Sequence, residues 1–300
     1  MSAGRFRFPV PIFAAALACV LVAPVVRAGP TVTLIGDDDR GVVVRELAAR
    51  EQSPIERRDG VYVLLVESVG LTLSSLAPGG GATAMADLLL TTDIGLIVVD
   101  STVGPTPAIR EHIIIARQAR VPMLAILLTN VAQLHADAPD EADELLALEI
   151  QEMRELLSAY DLDGSAAAVY YDAPTPGNVP GISAFGIRAS LRALSLFAPR
   201  RVRKEAMGQA SDIWAAVYLL TQLEADGNAI GLAPDETVTI WSEGVQSTAT
   251  LRAVSEYKPG DYREMPLAMA APIKGMEGSR ILLVRGENVV GLGAITQVLR

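Results

Sequence analysis

TVTLIGDDDRGVVVRELAAR, residues 31–50, decides how the first half of the chain is read. Residues 31–35 are a short β-branched run that stops at Gly36, and residues 42–50 carry a helical pattern. Between them lie three aspartates and an arginine, so the unit reads strand, glycine-bounded loop, helix. Working outward, apolar runs recur at 61–66 and 96–99, and the second ends in a turn, DSTVGP, at 100–105. A helix is predicted over 106–120, with Ile113, Ile114 and Arg117 at helical spacing, and a buried strand over 123–128.

The clearest helix is predicted over 140–160. Leu145, Leu146, Ile150, Met153 and Leu157 form its apolar stripe, while Asp140, Glu141, Asp143 and Glu144 crowd its start, where the helix dipole favours negative charge. Those acids read as a solvated helix start, not a metal site. A strand over 166–171, a Pro/Gly-rich loop over 174–186 and a helix over 187–197 complete the alternation. Strands alternating with helices predict an α/β domain whose parallel sheet is covered on both faces.

From residue 211 the texture changes to short β runs at 213–220, 237–241, 249–257, 267–273, 281–285 and 294–299, separated by Gly, Pro, Asn and Asp. Such spacing predicts a small antiparallel barrel or sandwich, with Trp214 and Trp241 in its core. Residues 198–210 read as a linker, and their basic run PRRVRK at 199–204 as part of it.

The chain has 300 residues, half of them hydrophobic, enough for two domains with a core each. Its formal charge of -10 argues against a nucleic-acid partner, which needs clustered Lys and Arg to release counterions. Residues 1–28 read as a signal peptide or an N-terminal membrane anchor: Arg5 and Arg7 precede an apolar run over 10–26, interrupted by Pro11 and Pro24, and VRA at 26–28 suits cleavage. The expected location is therefore exported: periplasmic, extracellular or, if the segment is retained, membrane-associated through residues 10–26. A start downstream of Arg27 would instead leave the protein in the cytoplasm. The one cysteine, Cys19, lies in this segment, so a cleaved chain could form no disulfide. The expected divisions are 1–28, a first domain over 29–197, the linker, and a second domain over 211–300.

Taken in order, these pieces resemble the translational GTPase elongation factor Tu. GPTPAIREHI at 104–113 is similar to that family's GPMPQTREHI, and Arg117-Gln118, Val121-Pro122 and EIQEMRELLSAYD at 149–161 follow in the family's order. AVYLLT at 216–221, KPGD at 258–261 and VRGENVVGLG at 284–293 resemble its third domain. The resemblance implies a shortened P-loop GTPase-like domain with a parallel sheet, followed by a small antiparallel β-barrel like the family's third domain. The family's middle barrel is missing, and residues 43–55 are too few for its long first switch loop.

A phosphate loop works through glycines that let backbone N–H groups curl round the phosphates, a lysine that reaches their oxygens and a hydroxyl that takes magnesium. Here Gly36, Asp37, Asp38, Asp39, Arg40, Gly41, Val42 and Val43 stand where the family has GHVDHGKT. Both glycines remain, but Val42 replaces the lysine, Val43 replaces the hydroxyl, and the aspartates would repel a triphosphate. In the family's DCPGH motif this chain has Leu76, Ala77, Pro78, Gly79 and Gly80, so the magnesium-linked aspartate and the water-positioning histidine are gone. In its NKxD motif the chain has Asn130, Val131 and Gln133, which removes the lysine and the guanine-reading carboxylate; its SALK becomes Asp172, Ala173, Pro174 and Thr175. His112, in a helix, and His135, in an acidic loop, read as structural or surface residues.

Charged hydrogen bonds to phosphate or base contribute about 1.5–3 kcal/mol each, so four losses forfeit on the order of 6–12 kcal/mol. The expected function is an exported or membrane-associated pseudo-GTPase that acts as a binding protein, with no catalytic residues, cofactor or metal. Its protein partner is not written in the sequence, and tRNA binding is not expected. The alternatives are a GTP-binding translation factor with an atypical site, for which GTP and magnesium would be the cofactors, or a decaying duplicate without a selected role.

Overall fold

The computed structural model describes residues 29–173, 179–197 and 208–299. The segment expected to direct export and the basic run of the linker lie outside these residues. In the first half β1 (Thr31–Gly36) leads through α1 (Arg40–Glu51) to β2 (Glu56–Arg58), β3 (Val61–Val66) and β4 (Leu71–Leu76). Then follow α2 (Ala82–Leu89), β5 (Ile94–Asp100), α3 (Pro107–Gln118), β6 (Met123–Thr129), α4 (Val131–Asp137), α5 (Ala142–Ala159), β7 (Ala168–Tyr171), β8 (Ile182–Phe185) and α6 (Ile187–Ser195).

These strands form one eight-stranded sheet in the order β2-β3-β4-β1-β5-β6-β7-β8. Strands β4 to β8 and β1 run parallel, whereas β2 and β3 pair antiparallel at one edge, so the sheet is mixed where all-parallel was expected. One face packs on α1 and α6, through Val44, Leu47, Leu191 and Leu194. The other packs on α2, α3 and α5, through Met85, Ile113, Leu146 and Met153. Strands β1, β5 and β6, in the middle of the sheet, read as apolar runs because both faces of the sheet are covered.

Several elements escape the sequence pattern. β4 reads LTLSSL, and its buried Ser74 hydroxyl is satisfied 2.8 Å from Thr33 Oγ1, which in turn lies 2.6 Å from Thr92 Oγ1. A strand with hydroxyls inside does not look apolar. β8 falls within the expected loop over 174–186, set between Gly181 and Gly186, whose φ angles of 90° and 86° turn the chain at its two ends. Residues 130–137 are not a loop: α4 covers Val131–Asp137, and His135 sits on it, 3.7 Å from Asp143. On α5, Leu145 is exposed, and the buried face instead takes in Ala142, Leu146, Glu149, Ile150, Met153 and Leu157.

The second half is a closed antiparallel barrel of six strands: β9 (Gln209–Leu219), β10 (Thr237–Ser242), β11 (Val245–Leu251), β12 (Tyr262–Lys274), β13 (Arg280–Arg285) and β14 (Asn288–Leu299), in the order β10-β11-β12-β9-β14-β13. β11 ends at Leu251, short of the run expected to 257, and Tyr257 meets Leu232 through one isolated bridge. Alternation on β9 puts Ile213, Ala215, Val217 and Leu219 inside, with Ile240, Met265 and Leu283. Trp214 points out and Trp241 joins a different core, so neither tryptophan fills the barrel, contrary to the sequence expectation.

Trp241 belongs to the contact between barrel and sheet domain. It is 1% exposed, and its indole Nε1 donates to Asp87 Oδ1 on α2 at 2.7 Å. Leu282, Val284, Val289 and Leu292 extend the apolar cluster of α2 and α3 into the barrel. Most polar groups inside this contact are paired, as burial demands, although Gln118 Oε1 is enclosed without a partner. Gln118 Nε2 donates to the carbonyls of Ile281 and Gly293 at 2.8 and 3.1 Å, and Glu111 Oε1 accepts from Val289 N at 2.7 Å. Each half has an apolar core of its own, and a third core is shared between them.

Candidate functional site

The glycine-bounded turn and several of the other residues singled out in the sequence lie at the C-terminal ends of the parallel strands, where open α/β sheets place their ligands, and Asp100 joins them there. Gly36 closes β1, Asp100 closes β5, Asn130 follows β6 and Asp172 follows β7. Leu76 closes β4, one strand along from β1.

Residues 37–39 form a tight turn, and α1 begins at Arg40, two residues earlier than expected. Gly41 is therefore helical. The turn spends its own donors: Arg40 N donates to Asp37 O at 3.2 Å, Gly41 N to Asp38 O at 3.1 Å, and Val42 N and Val43 N both to Asp39 O at 2.8 and 3.0 Å. Val43 is buried under the sheet, whereas Val42 is exposed on the helix surface. Gly36 has φ 102°, and a Cβ there would lie 2.4 Å from Val98 O, so the backbone crossing of β1 and β5 alone requires glycine.

Side chains of the turn are engaged with one another and with neighbouring loops. Thr106 Oγ1 donates to Asp37 Oδ1. Asp39 Oδ2 accepts from Asn130 Nδ2 at 3.3 Å, and the Asp39 and Asp100 carboxyls lie within hydrogen-bonding reach of each other. Burial pushes both Asp37 and Asp39 above the usual carboxylate range, with Asp100 adding to the rise at Asp39. Arg40 is buried, with Nη2 3.6 Å from Asp38 Oδ1, while its Nε and Nη1 have no hydrogen-bond partner. Desolvation lowers its pKa, opposed by Asp38 and Asp37.

The remaining candidates do not converge on a pocket. Leu76 is buried in the apolar core, and a Cβ on Gly80 would strike its Cδ2 at 2.5 Å. Pro78, Gly79 and Gly80 form an exposed turn, with Gly79 at φ 81°. Val131 is buried at the start of α4, and Gln133 Nε2 bonds its own helix neighbour Asp137 at 2.8 Å, on the exposed face. Asn130, at φ 57°, donates its backbone N–H to Asp172 Oδ2 at 2.8 Å.

Sequence reasoning missed three members of the cluster. Asp100, Ser101 and Glu149 stand together below the turn, and Glu149 is 7% exposed with Oε1 unpartnered. Burial raises its carboxyl to about 7, partly offset by the adjacent Ser101 hydroxyl and reinforced by the charges of Asp100, Glu152 and Asp37. Its spacing held the signal, since Glu149 lies three residues after Leu146 and four before Met153 on one helix face. Among the described residues, no group of three or more His, Cys, Asp or Glu side chains could hold a metal ion.

His112 lies behind the turn. Its Nδ1 accepts from Gly36 N at 2.9 Å and lies 3.1 Å from Gly36 O. Desolvation, aided by the charge of Arg40, lowers its pKa to about 3, so the ring is neutral at pH 7. A depressed histidine stabilises the fold above its unfolded value near 6.5 and loses that contribution as pH falls toward 3. His112 as a residue is half-buried, so the discounted loss between pH 7 and pH 3 is on the order of 2–3 kcal/mol. Chemical denaturation at both pH values should show this loss in wild type and not in His112→Asn, which keeps an acceptor near Gly36 but does not titrate.

No model of a known protein family matches this chain. The site therefore has to be judged by its own chemistry. It offers an occupied turn, clustered carboxylates, one buried guanidinium and, behind the turn, the neutral ring of His112 held on Gly36. A groove of about 600 Å³ lies elsewhere, along α5 at Ile150, Arg154, Ser158 and Pro180, and contains none of these carboxylates.

Proposed function

We propose that this chain is an exported pseudo-GTPase, a degenerate relative of elongation factor Tu that acts by binding a protein partner rather than by hydrolysing GTP. The observation that carries the proposal is the turn at residues 37–39. Its following amides donate to the turn's own carbonyls, so they are not free to curl round phosphate oxygens. Asp37, Asp38 and Asp39 would then face a triphosphate with like charge, and Val42 and Val43 supply neither ammonium nor hydroxyl. Base recognition is weakened in the same way, because the Asn130 side chain is held by Asp39 and Gln133 is turned to Asp137.

Isothermal titration of the purified chain with GTP and magnesium tests this directly. The expected result is no saturable heat at micromolar nucleotide, where a retained site would bind with about 8 kcal/mol or more. Saturable micromolar binding would overturn the proposal in favour of a translation factor with an atypical site. Sequencing the N-terminus of the native protein checks the export component separately, with a start near residue 29 as the expected result.

A further inference from the structure

We propose that Glu149, with Asp100, Ser101 and Asp37, forms a buried proton-binding site that makes the packing of α5 against the ends of β1 and β5 tighter in mildly acidic than in neutral solution. This inference stands on the cluster itself and does not rest on the proposed function. Glu149 is 7% exposed, sits on the buried face of α5, and its Oε1 has no hydrogen-bond partner. Asp37 Oδ2 and Ser101 Oγ are likewise enclosed and unpartnered. A buried carboxylate with one oxygen unpartnered and a single hydroxyl beside it is costly, while a carboxylic acid can itself donate a hydrogen bond. Protons are thus the simplest neutralising species for the cluster.

The groups facing Glu149 come from every packed element. Asp37 follows β1, Asp100 and Ser101 end β5, Glu152 lies on α5 itself, and Tyr171 stands on β7, its hydroxyl pKa raised chiefly by burial and further by Asp143 and Glu149. None of these is a cation. The nearest cation, the buried Arg40, pairs with Asp38 at 3.6 Å and also acts on Asp37. Ionisation of Glu149 therefore adds a negative charge beside Asp100 and Asp37, and the charges that act on Glu149 itself, those of Asp100, Glu152 and Asp37, are all negative.

A carboxyl held protonated to about 7 gives a stabilising contribution that is complete below its unfolded value of 4.5 and is lost as pH rises through 7. His112 has the opposite slope over part of this range, so the informative quantity is the difference between wild type and Glu149→Gln, in which His112 is common to both. Full-length wild type and E149Q are compared by urea denaturation at pH 5 and pH 8. The expected result is near-equal stability at pH 5 and a folding equilibrium constant on the order of a hundred-fold larger for E149Q at pH 8. A difference that is the same at both pH values overturns the proposal. Should E149Q fail to fold, wild type labelled with carbon-13 at glutamate carboxyls gives a second readout: one resonance titrating near pH 7 supports the site, and all glutamates titrating in the usual carboxylate range overturns it.

Discussion

Trp241→Ala is expected to lower the unfolding free energy by about 3–5 kcal/mol, the range for removing a large buried aromatic side chain. Trp241 is 1% exposed in the apolar cluster that joins the barrel to α2 and α3, and it donates to Asp87 Oδ1 at 2.7 Å. Truncation removes its packing and deprives Asp87 of that donor together. The paired measurement is Trp214→Ala, on the outward face of β9, whose cost should stay near 1 kcal/mol. Urea denaturation followed by circular dichroism and by fluorescence of the remaining tryptophan checks both. Wild type should unfold with coincident transitions, while Trp241→Ala should separate the sheet domain from the barrel. Equal effects from the two substitutions would show that the shared core is not what holds the halves together.

Gly36→Ala and Gly41→Ala are expected to act in opposite directions, although both glycines belong to one loop pattern in the sequence. At Gly36 an alanine would have to adopt φ 102° with its Cβ 2.4 Å from Val98 O. Backbone strain and the required shift of β5 should cost about 3 kcal/mol. Gly41 lies inside α1, where an added Cβ meets only the far end of Arg45, at 3.3 Å from Nη1. Alanine there should stabilise by about 0.5–1 kcal/mol through helix propensity and a less flexible unfolded chain. Thermal or urea denaturation of the two variants decides the matter. A phosphate-binding loop would need both glycines, whereas this turn needs only the first, and a destabilising Gly41→Ala would contradict the helical assignment of that residue.

Much of the first domain was legible because its signal is local. β-branched runs such as TVTLI and IGLIVV, followed by segments with apolar residues three and four apart, give strands and helices without knowledge of the partners. Legibility failed where burial and polarity disagree. β4 hides two serines, α4 is a short helix after a strand whose composition looks like a loop, and β8 is four residues between turning glycines. The candidate site divided in the same way. Val42, Val43 and Gln133 could be named as departures from a nucleotide motif by position alone. That the turn consumes its own amides, and that Glu149 lies beside Asp100, depends on how α1 begins and where α5 lands.

By itself, the sequence determined the alternation of strands and helices, the change to short β runs after residue 211, and the residue types at each position of the β1–α1 turn. These follow from periodicity and side-chain chemistry, which act over a few residues. Tertiary structure alone decided the antiparallel edge of the sheet, the burial of Glu149 among other carboxylates, and the placing of Trp241. Alternation along β10 turns Trp241 away from Val238 and Ile240, but only the docking of α2 against the barrel covers it. Whether an outward side chain meets water or another element is set by long-range contacts, and no local pattern encodes them.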